Sequence, residues 1–319
     1  MPLTSAPDPT PAPAIAIHGV SKSFGAFRAV ADVSLDVPSG SIYGFIGPNG
    51  SGKTTTIRMI MNIILPDSGD IQVLGHRSTS AARDDVGYLP EERGLYKKMQ
   101  VRRLLRYYGR LKGRPLASLD PVITEWLERL ELSAWADKRI DQLSKGMAQK
   151  VQFISAVVAR PKLLILDEPF SGLDPVNAEA LRDAVLELRR RGTTIVFSTH
   201  DMAAAERLCD RIFMIFKGQK VLDGSLDEIQ ARYGHDTVRV RVTGGAAALA
   251  KMPEVESMND HGNAQDVRLK GDPQTFLHRL VQQTAVQQFE IAKPSLHDIF
   301  VRIARPTAED LRQAQGVAS

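Results

Sequence analysis

The residues best suited to chemistry lie near the N-terminus, where 47–54 reads Gly-Pro-Asn-Gly-Ser-Gly-Lys-Thr. This run fits G-x-x-x-x-G-K-[ST], a pattern in which backbone N–H groups surround a phosphate. The apolar segment 41–46 predicts a strand before it, and apolar residues at helical spacing in 55–64 predict a helix after it. A strand, a Gly-rich turn and a helix aim N–H groups and the positive end of a helix dipole at one anion. The sequence therefore predicts a nucleotide phosphate-binding loop.

Two side chains of this loop have specific expected roles. Lys53 is expected to reach the β- and γ-phosphates, and the Thr54 hydroxyl is expected to hold Mg²⁺. The predicted nucleotide-binding residues of the loop are Gly47, Pro48, Asn49, Gly50, Ser51, Gly52, Lys53, Thr54 and Thr55.

A second chemical segment is 162–168, which reads Lys-Leu-Leu-Ile-Leu-Asp-Glu. Four apolar residues that end in two carboxylates are typical of a buried parallel strand that delivers acid to the edge of a sheet. Asp167 is expected to bind Mg²⁺. Glu168 is expected to point elsewhere and to polarise a water for attack on the γ-phosphate.

A third segment indicates the family. Residues 143–147, Leu-Ser-Lys-Gly-Met, resemble the signature loop of the ATP-binding cassette (ABC) ATPases. Other landmarks follow in that family's order: Phe24 for adenine stacking, 87–91 for the Gln-containing loop, 171–174 after the acidic strand, and the switch histidine His200. The resemblance covers about residues 15 to 225. No Asn-Lys-x-Asp occurs, so the usual guanine-reading motif is absent.

The resemblance implies an α/β fold: a P-loop ABC ATPase domain with a helical subdomain. It also implies a head-to-tail dimer in which each ATP lies between one phosphate loop and the partner's signature loop. Ser144, Lys145 and Gly146 would then meet the γ-phosphate in trans, and Asp174 would contact across the dimer seam. His200 would hydrogen-bond the γ-phosphate. Glu168 and His200 are thus the expected catalytic residues.

Two positions depart from the family pattern. Glu91 stands where a Gln normally contacts Mg²⁺ and the attacking water, and an ionised carboxylate cannot donate a hydrogen bond. We hypothesise slower basal hydrolysis or a stronger Mg²⁺ dependence, with Thr54, Glu91 and Asp167 as metal ligands; the alternative is that Glu91 is only a loop acid. The signature carries Lys145 and Met147, and the Lys145 cation could offset the charge of Glu91.

Length and composition limit the number of domains and the classes of protein to which the chain can belong. The 319 residues suit one large and one small domain. No run of about 18 apolar residues, the length of a membrane span, is present. The single Cys209 excludes a disulfide framework and fits a reducing cytosol. Residues 1–14 contain five prolines and lack the pattern of a secretory signal, so we expect a disordered tail there.

A basic segment, 97–114, holds eight Lys and Arg residues and no acid. Leu104, Leu105, Tyr108 and Leu111 alternate with the basic residues at helical spacing, which predicts a basic amphipathic helix. In the family this region receives the membrane partner. A basic face there could meet acidic segments of that partner or anionic lipid, although a simply solvated face is the alternative.

After residue 234 the sequence pattern changes and predicts short strands that alternate with helices. Strands are expected at 237–243, 267–270 and 286–291, and helices at 276–281 and 295–304, the last capped by Ser295. We predict an ABC domain at 15–235, a small α+β accessory domain at 236–305 and a polar tail at 306–319. The small domain resembles one attached to a bacterial exporter subgroup (sodium- and drug-exporter-like), where dimer contacts or regulation are its expected roles.

Together these features predict an ATPase subunit of an ABC exporter that binds ATP and Mg²⁺. The expected partners are a second ATPase subunit and an integral membrane permease, at the cytoplasmic face of the membrane, without nucleic acid. The alternative is a soluble ABC ATPase that acts on nucleic acid or ribosomes. The chain has one phosphate loop, no Cys pairs and no heptad run, which favours the exporter interpretation.

Overall fold

The computed structural model describes residues 12–77, 79–92, 94–233 and 236–304. The chain divides into two compact units, one that runs to Asp223 and one that begins at Gly224. Residues 1–11 of the predicted Pro-rich tail and the predicted polar tail 306–319 lie outside the described residues. Ala14, which we assigned to the tail, is instead buried and donates its N–H to the Val37 carbonyl at 2.8 Å.

The strands of the first unit form two sheets. They are β1 (Ile15–Phe24), β2 (Phe27–Val37), β3 (Ile42–Ile46), β4 (Ser68–Val73), β5 (Val86–Leu89), β6 (Leu163–Asp167), β7 (Thr194–Thr199), β8 (Arg211–Phe216) and β9 (Gln219–Gly224). The smaller sheet has the order β2-β1-β4, with antiparallel pairs. The larger has the order β5-β6-β7-β3-β8-β9, and β5, β6, β7, β3 and β8 pair in parallel.

The larger sheet explains where chemistry can occur. All five residues of β3 and all five of β6 are buried, as the continuous apolar runs predict for strands covered on both faces. Parallel strands bring their carboxyl ends to one edge. The phosphate loop after β3, the carboxylates at the end of β6 and the histidine after β7 therefore meet at that edge.

The helices of the first unit cover this sheet. They are α1 (Lys53–Ile60), α2 (Thr79–Ala82), α3 (Val101–Leu111), α4 (Leu116–Arg129), α5 (Lys145–Val157), α6 (Pro175–Arg190) and α7 (Met202–Leu208), with 3₁₀ turns at Ser133–Trp135 and Ile140–Gln142. Helices α3, α4 and α5 share one apolar core, in which the rings of Trp126 and Phe153 meet edge to face with centroids 5.8 Å apart. This is the predicted helical subdomain.

The basic helix is shorter than we predicted. It spans Val101–Leu111 and not 97–114. Gln100 is extended and Gly113 has φ of +72°, and neither conformation continues an α-helix. Lys97 and Lys98 therefore lie before the helix in a loop, whose backbone bonds to the segment around Asp141.

The second unit is a small α+β domain, as predicted. It contains α8 (Leu226–Tyr233), β10 (Thr237–Val242), α9 (Gly245–Leu249), β11 (Val255–Asp260), β12 (Gln265–Leu269), α10 (Pro273–Gln283), β13 (Val286–Ile291) and α11 (Leu296–Ala304). Its sheet has the order β11-β12-β10-β13 with antiparallel pairs. Ser295 caps α11, where its hydroxyl accepts from the Asp298 N–H at 3.1 Å. We did not predict α9 or β11.

Helix α8 explains why the structural boundary precedes the predicted boundary between residues 235 and 236. Gln230 donates to the Pro294 carbonyl at 3.0 Å, and Asp227 pairs with Lys293 at 2.6 Å. Arg302 donates to the Tyr233 carbonyl. These contacts join α8 to the end of the second unit.

Across the described residues, the helices are too short or too polar to span a bilayer.

Candidate ATP site

The phosphate loop has a backbone that its glycines make possible. Gly52 has φ of +113°, and a Cβ at this position would lie 2.6 Å from the Ala29 carbonyl oxygen. Gly47 has φ of +156°, and a Cβ there would collide with the Ile215 carbonyl. Any side chain at either position would therefore displace backbone, which explains why the pattern requires glycine.

Lys53 is buried at the start of α1 and folds back over the loop. Its Nζ donates to the Gly47 carbonyl at 2.7 Å and to the Pro48 carbonyl at 3.2 Å, and it lies 3.7 Å from Glu168 Oε1. Burial lowers the pKa of Lys53, while the carboxylates of Glu168 and Asp167 oppose that shift. The ammonium is thus held between the loop and the acidic end of β6.

Asp167 has the properties of a metal ligand. It is 1% exposed, and its Oδ1 accepts from the Ser198 hydroxyl and, at 3.4 Å, from the Thr54 hydroxyl. Its Oδ2 is buried and has no hydrogen-bond partner among the described residues. Burial raises the pKa of Asp167, although the hydrogen bonds from Ser198 and Thr54 lower it. A buried carboxylate oxygen without a partner, beside a hydroxyl, fits the oxygen ligands of Mg²⁺.

Glu91 follows β5 and borders the same region. It lines the cleft of about 230 Å³ that contains Asp167 and Glu168, and also the cleft of about 310 Å³ that contains Lys53 and Thr54. Burial and then the charges of Asp167 and Glu168 raise the pKa of Glu91. The position fits the expected metal ligand and places Glu91 among like charges.

Glu168 and His200 form a pair. His200 Nδ1 lies 3.1 Å from Glu168 Oε1, and this hydrogen bond raises the pKa of His200. Glu168 has φ of +49°, a left-handed conformation that is rare for a residue with a side chain. Its N–H donates to the Ser198 hydroxyl at 3.0 Å. The two predicted catalytic residues thus lie in contact.

The predicted adenine-stacking residue is an exposed aromatic. Phe24 ends β1, is 51% exposed and pairs in register with Phe27, which begins β2. The Lys22 ammonium lies 5.7 Å from the Phe24 ring. Phe27, rather than Phe24, lines the cleft that contains Lys53 and Thr54. Sequence reasoning missed Phe27, although an aromatic two residues beyond Gly25 was a visible signal.

The signature residues lie at a helix start, as the sequence predicted. Ser144 caps α5, where its hydroxyl accepts from the Met147 N–H at 3.2 Å. A Cβ at Gly146 would lie 2.8 Å from Asn177 Nδ2. Ser144, Lys145 and Gly146 do not line either cleft of this protomer. Asp174 caps α6 and accepts from the Asn177 N–H at 3.1 Å, which lowers the pKa of Asp174.

Comparison with known proteins identifies the family. Residues 30–171 match the family model described as ABC transporter, and 224–304 match the model for the C-terminal domain of DrrA1-3-like ATP-binding proteins. The chain is 39% identical over 289 residues to the uncharacterized ABC transporter ATP-binding protein YhaQ of Bacillus subtilis, which covers 90% of this chain and 97% of that protein. The chain belongs to the ATP-binding proteins of the ABC transporter family.

This ABC ATPase is also similar to an export protein and to a solved structure. It is 34% identical over 296 residues to the Nod factor export ATP-binding protein I of Rhizobium sp., across 91% of this chain and 96% of that protein. A solved ATP-binding subunit of an ABC transporter superposes with a TM-score of 0.65 at 32% identity, over 69% of this chain and 93% of that one. The predicted fold and ATPase family are confirmed.

The sequence analysis did not identify three buried polar side chains of this ABC ATPase that lie near the site. The Ser198 hydroxyl donates to the Asp167 carboxylate and accepts from the Glu168 backbone N–H. Gln149 donates to the Pro169 carbonyl at 2.6 Å, and Gln152 donates to the carbonyls on both sides of Glu91. Each is a polar residue inside an apolar strand or helix. That interruption was the signal available from sequence, because buried polar groups require partners.

Proposed function

We propose that this ABC ATPase is the ATP-hydrolysing subunit of an export system and works with a separate integral membrane permease. The observation that carries the proposal is the convergence of Lys53, Asp167, Glu168 and His200 at one sheet edge. Similarity to a Nod factor export protein over 91% of the chain supports the export direction. Two such subunits would bind ATP between them and associate peripherally with the cytoplasmic face of the membrane.

The proposed reaction is in-line attack of water on the γ-phosphorus, which yields ADP and phosphate. Glu168 would orient the water and accept its proton. Lys53 and the loop N–H groups would bind the β- and γ-phosphates, and His200, with its raised pKa, would donate a hydrogen bond to the γ-phosphate. Thr54, Asp167 and Glu91 would hold Mg²⁺, which when bound supplies positive charge to the phosphate oxygens.

The partner subunit would contact the opposite side of each ATP. Ser144 and Gly146 begin α5, so they would offer a hydroxyl, an N–H group and a helix dipole to the γ-phosphate in trans. Lys145, which is exposed, would add a cation that offsets Glu91. A double-mutant cycle on ATPase rate tests this pairing, and additive effects of Lys145→Ala and Glu91→Gln would exclude it.

Only some basic residues of 97–114 would contact anionic lipid, because several of the others have partners within the protein. Arg106 makes a two-bond ion pair with Asp120, Lys112 donates to the Arg83 and Val86 carbonyls, and Arg114 pairs with Asp85 at 3.6 Å. Arg102 donates to the Thr124 hydroxyl at 3.2 Å. Within the described part of the chain, the exposed side chains of Lys97, Lys98, Arg103 and Arg110 make neither an ion pair nor a hydrogen bond. These four are the cations available to anionic headgroups, each worth about 1 kcal/mol near such a surface.

Flotation with vesicles that contain phosphatidylserine tests the lipid contact. Reversal of Arg103 and Arg110 to Glu should reduce recovery in low salt, whereas reversal of Arg232 and Lys270, in the second unit, serves as the charge-matched control. Equal recovery of both variants would contradict the lipid contact and leave a solvated face.

The test of the main proposal is affinity purification of the tagged Glu168→Gln chain from detergent-solubilised membranes with ATP present. We expect a stoichiometric multi-span protein without a phosphate loop of its own, and phosphate release by the unmodified chain that Glu168→Gln removes. Recovery only with nucleic acid or ribosomal proteins would contradict the export function. Phosphate release unchanged by Glu168→Gln would contradict the catalytic assignment.

A further inference from the structure

Glu91 lies in an electrostatically unfavourable place for an acid. It lines the same cleft as Asp167 and Glu168, and it is exposed to solvent. Like charges at such a site repel, so before any cation binds the carboxylate gains by moving outward to water. If Glu91 is to hold a metal there, another part of the protein must hold the backbone of its loop in place.

Gln152 supplies that attachment. It lies on α5, is 6% exposed and lines the same cleft as Glu91, Asp167 and Glu168. Its Nε2 lies 3.1 Å from the Glu92 carbonyl oxygen and 3.4 Å from the Pro90 carbonyl oxygen. An amide NH₂ has two donors, and the carbonyls of both residues that flank Glu91 lie within hydrogen-bond distance of this nitrogen. Gln152 therefore holds the backbone on both sides of Glu91.

The geometry points to Gln152 as a positioning residue that holds Glu91 toward Asp167 for the metal; this inference rests on the proposed role of Glu91 as a Mg²⁺ ligand. The physical reason is that the carboxylate follows its own backbone. Two hydrogen bonds to the adjacent carbonyls restrict outward movement of Glu91, which charge repulsion favours. Outer partners of this kind affect metal affinity without touching the metal.

Gln152 also lies on the helix that begins at Ser144 and Gly146. A rigid helix of 13 residues therefore connects the signature, which meets the partner's ATP, to the loop of Glu91, which serves the subunit's own ATP. Through Gln152, movement of α5 on dimer closure would move the metal ligand.

The experiment uses the full chain in a Glu168→Gln background, which keeps ATP intact. Mn²⁺ binding to the ATP-loaded protein is measured by electron paramagnetic resonance, and hydrogen–deuterium exchange is measured for the peptide that contains Glu91. The variants are Gln152→Ala, which removes the donor and the side chain, and Gln152→Met, which has a similar length but no donor and adds no charge. Ser155→Ala is the matched control, since this hydroxyl on the same helix donates only to the Gln152 carbonyl.

We expect both Gln152 variants to bind Mn²⁺ about tenfold more weakly, with faster exchange around Glu91 and unchanged affinity for metal-free ATP. Ser155→Ala should match the background protein. A merely structural role of Gln152 would lower the unfolding temperature without this selective loss of metal affinity.

Glu91→Ala separates the two ways in which the inference can fail. Weaker Mn²⁺ binding in Glu91→Ala but not in the Gln152 variants overturns the positioning role alone. Unchanged Mn²⁺ binding in Glu91→Ala overturns the metal role of Glu91 and this inference together. ATP hydrolysis by the unmodified chain, measured in parallel, shows whether the proposed function stands in either case.

Discussion

Ser198→Ala would remove the hydroxyl that connects the Asp167 carboxylate to the backbone N–H of Glu168. Ser198 is fully buried; its Oγ donates to Asp167 and accepts from the Glu168 N–H at 3.0 Å. The variant therefore loses a hydrogen bond to a carboxylate, worth roughly 1.5–3 kcal/mol, and leaves the half-buried Glu168 N–H without this acceptor, at a cost of roughly 1–3 kcal/mol. Since the two terms share one site and are not additive, we expect a loss of about 2–4 kcal/mol.

Urea unfolding measures this loss. The two tryptophans of the chain, Trp126 and Trp135, both lie in the first unit, so their fluorescence reports that unit alone. With a slope of about 2–3 kcal/mol per molar urea, the midpoint should fall by about 1 M. Asp167 would also lose a hydrogen bond that orients it, so the Mg²⁺ concentration for half-maximal ATPase activity should rise about tenfold.

Thr194→Val is the matched control for Ser198→Ala. Thr194 lies at the other end of the same strand, is 3% exposed and accepts from the Gly40 N–H at 2.9 Å. Its loss should also cost roughly 1–3 kcal/mol, but the Mg²⁺ dependence should stay unchanged. The reasoning is refuted if Ser198→Ala unfolds at the urea concentration of the unmodified chain, or if its Mg²⁺ dependence shifts no more than that of Thr194→Val.

Two further predictions concern His200 and the signature residue Gly146. The His200 ring should titrate above the ordinary histidine pKa, because Glu168 accepts its hydrogen bond; the stabilisation from this pair is fully present below the unfolded-state pKa and is lost as pH rises through the folded-state pKa. Glu168→Gln should lower the His200 pKa in an NMR titration, and no change would contradict the pairing. Gly146→Ala should bring a methyl group within 2.8 Å of Asn177 Nδ2 and reduce ATPase activity, since the signature backbone must shift. Addition of Asn177→Ala should recover part of that activity, and no recovery would locate the defect elsewhere.

The chemistry at the sheet edge was predictable because each part is local in sequence. The strand, the Gly-rich turn and the helix around Lys53 follow one another directly, and the carboxylates of β6 end an apolar run. Their convergence could be predicted from the rule that the carboxyl ends of parallel strands lie at one edge of the sheet. The ends of α3 were predicted wrongly because side-chain periodicity continues into 97–100 and 112–114, whereas the backbone at Gln100 and Gly113 leaves the helical region.

The hydrogen-bond partners of Ser198 and Gln152 could not be predicted from the local sequence pattern. Each of these two residues interrupts an apolar segment, so sequence alone indicates that a buried polar group needs a partner. The partners lie far away along the chain, 30 residues from Ser198 to Glu168 and 60 from Gln152 to Glu92. Only the position of β7 beside β6, and of α5 beside the loop after β5, decides which groups meet. Polar residues inside otherwise apolar elements are therefore the places where an ABC ATPase sequence should be searched for residues that position its acids.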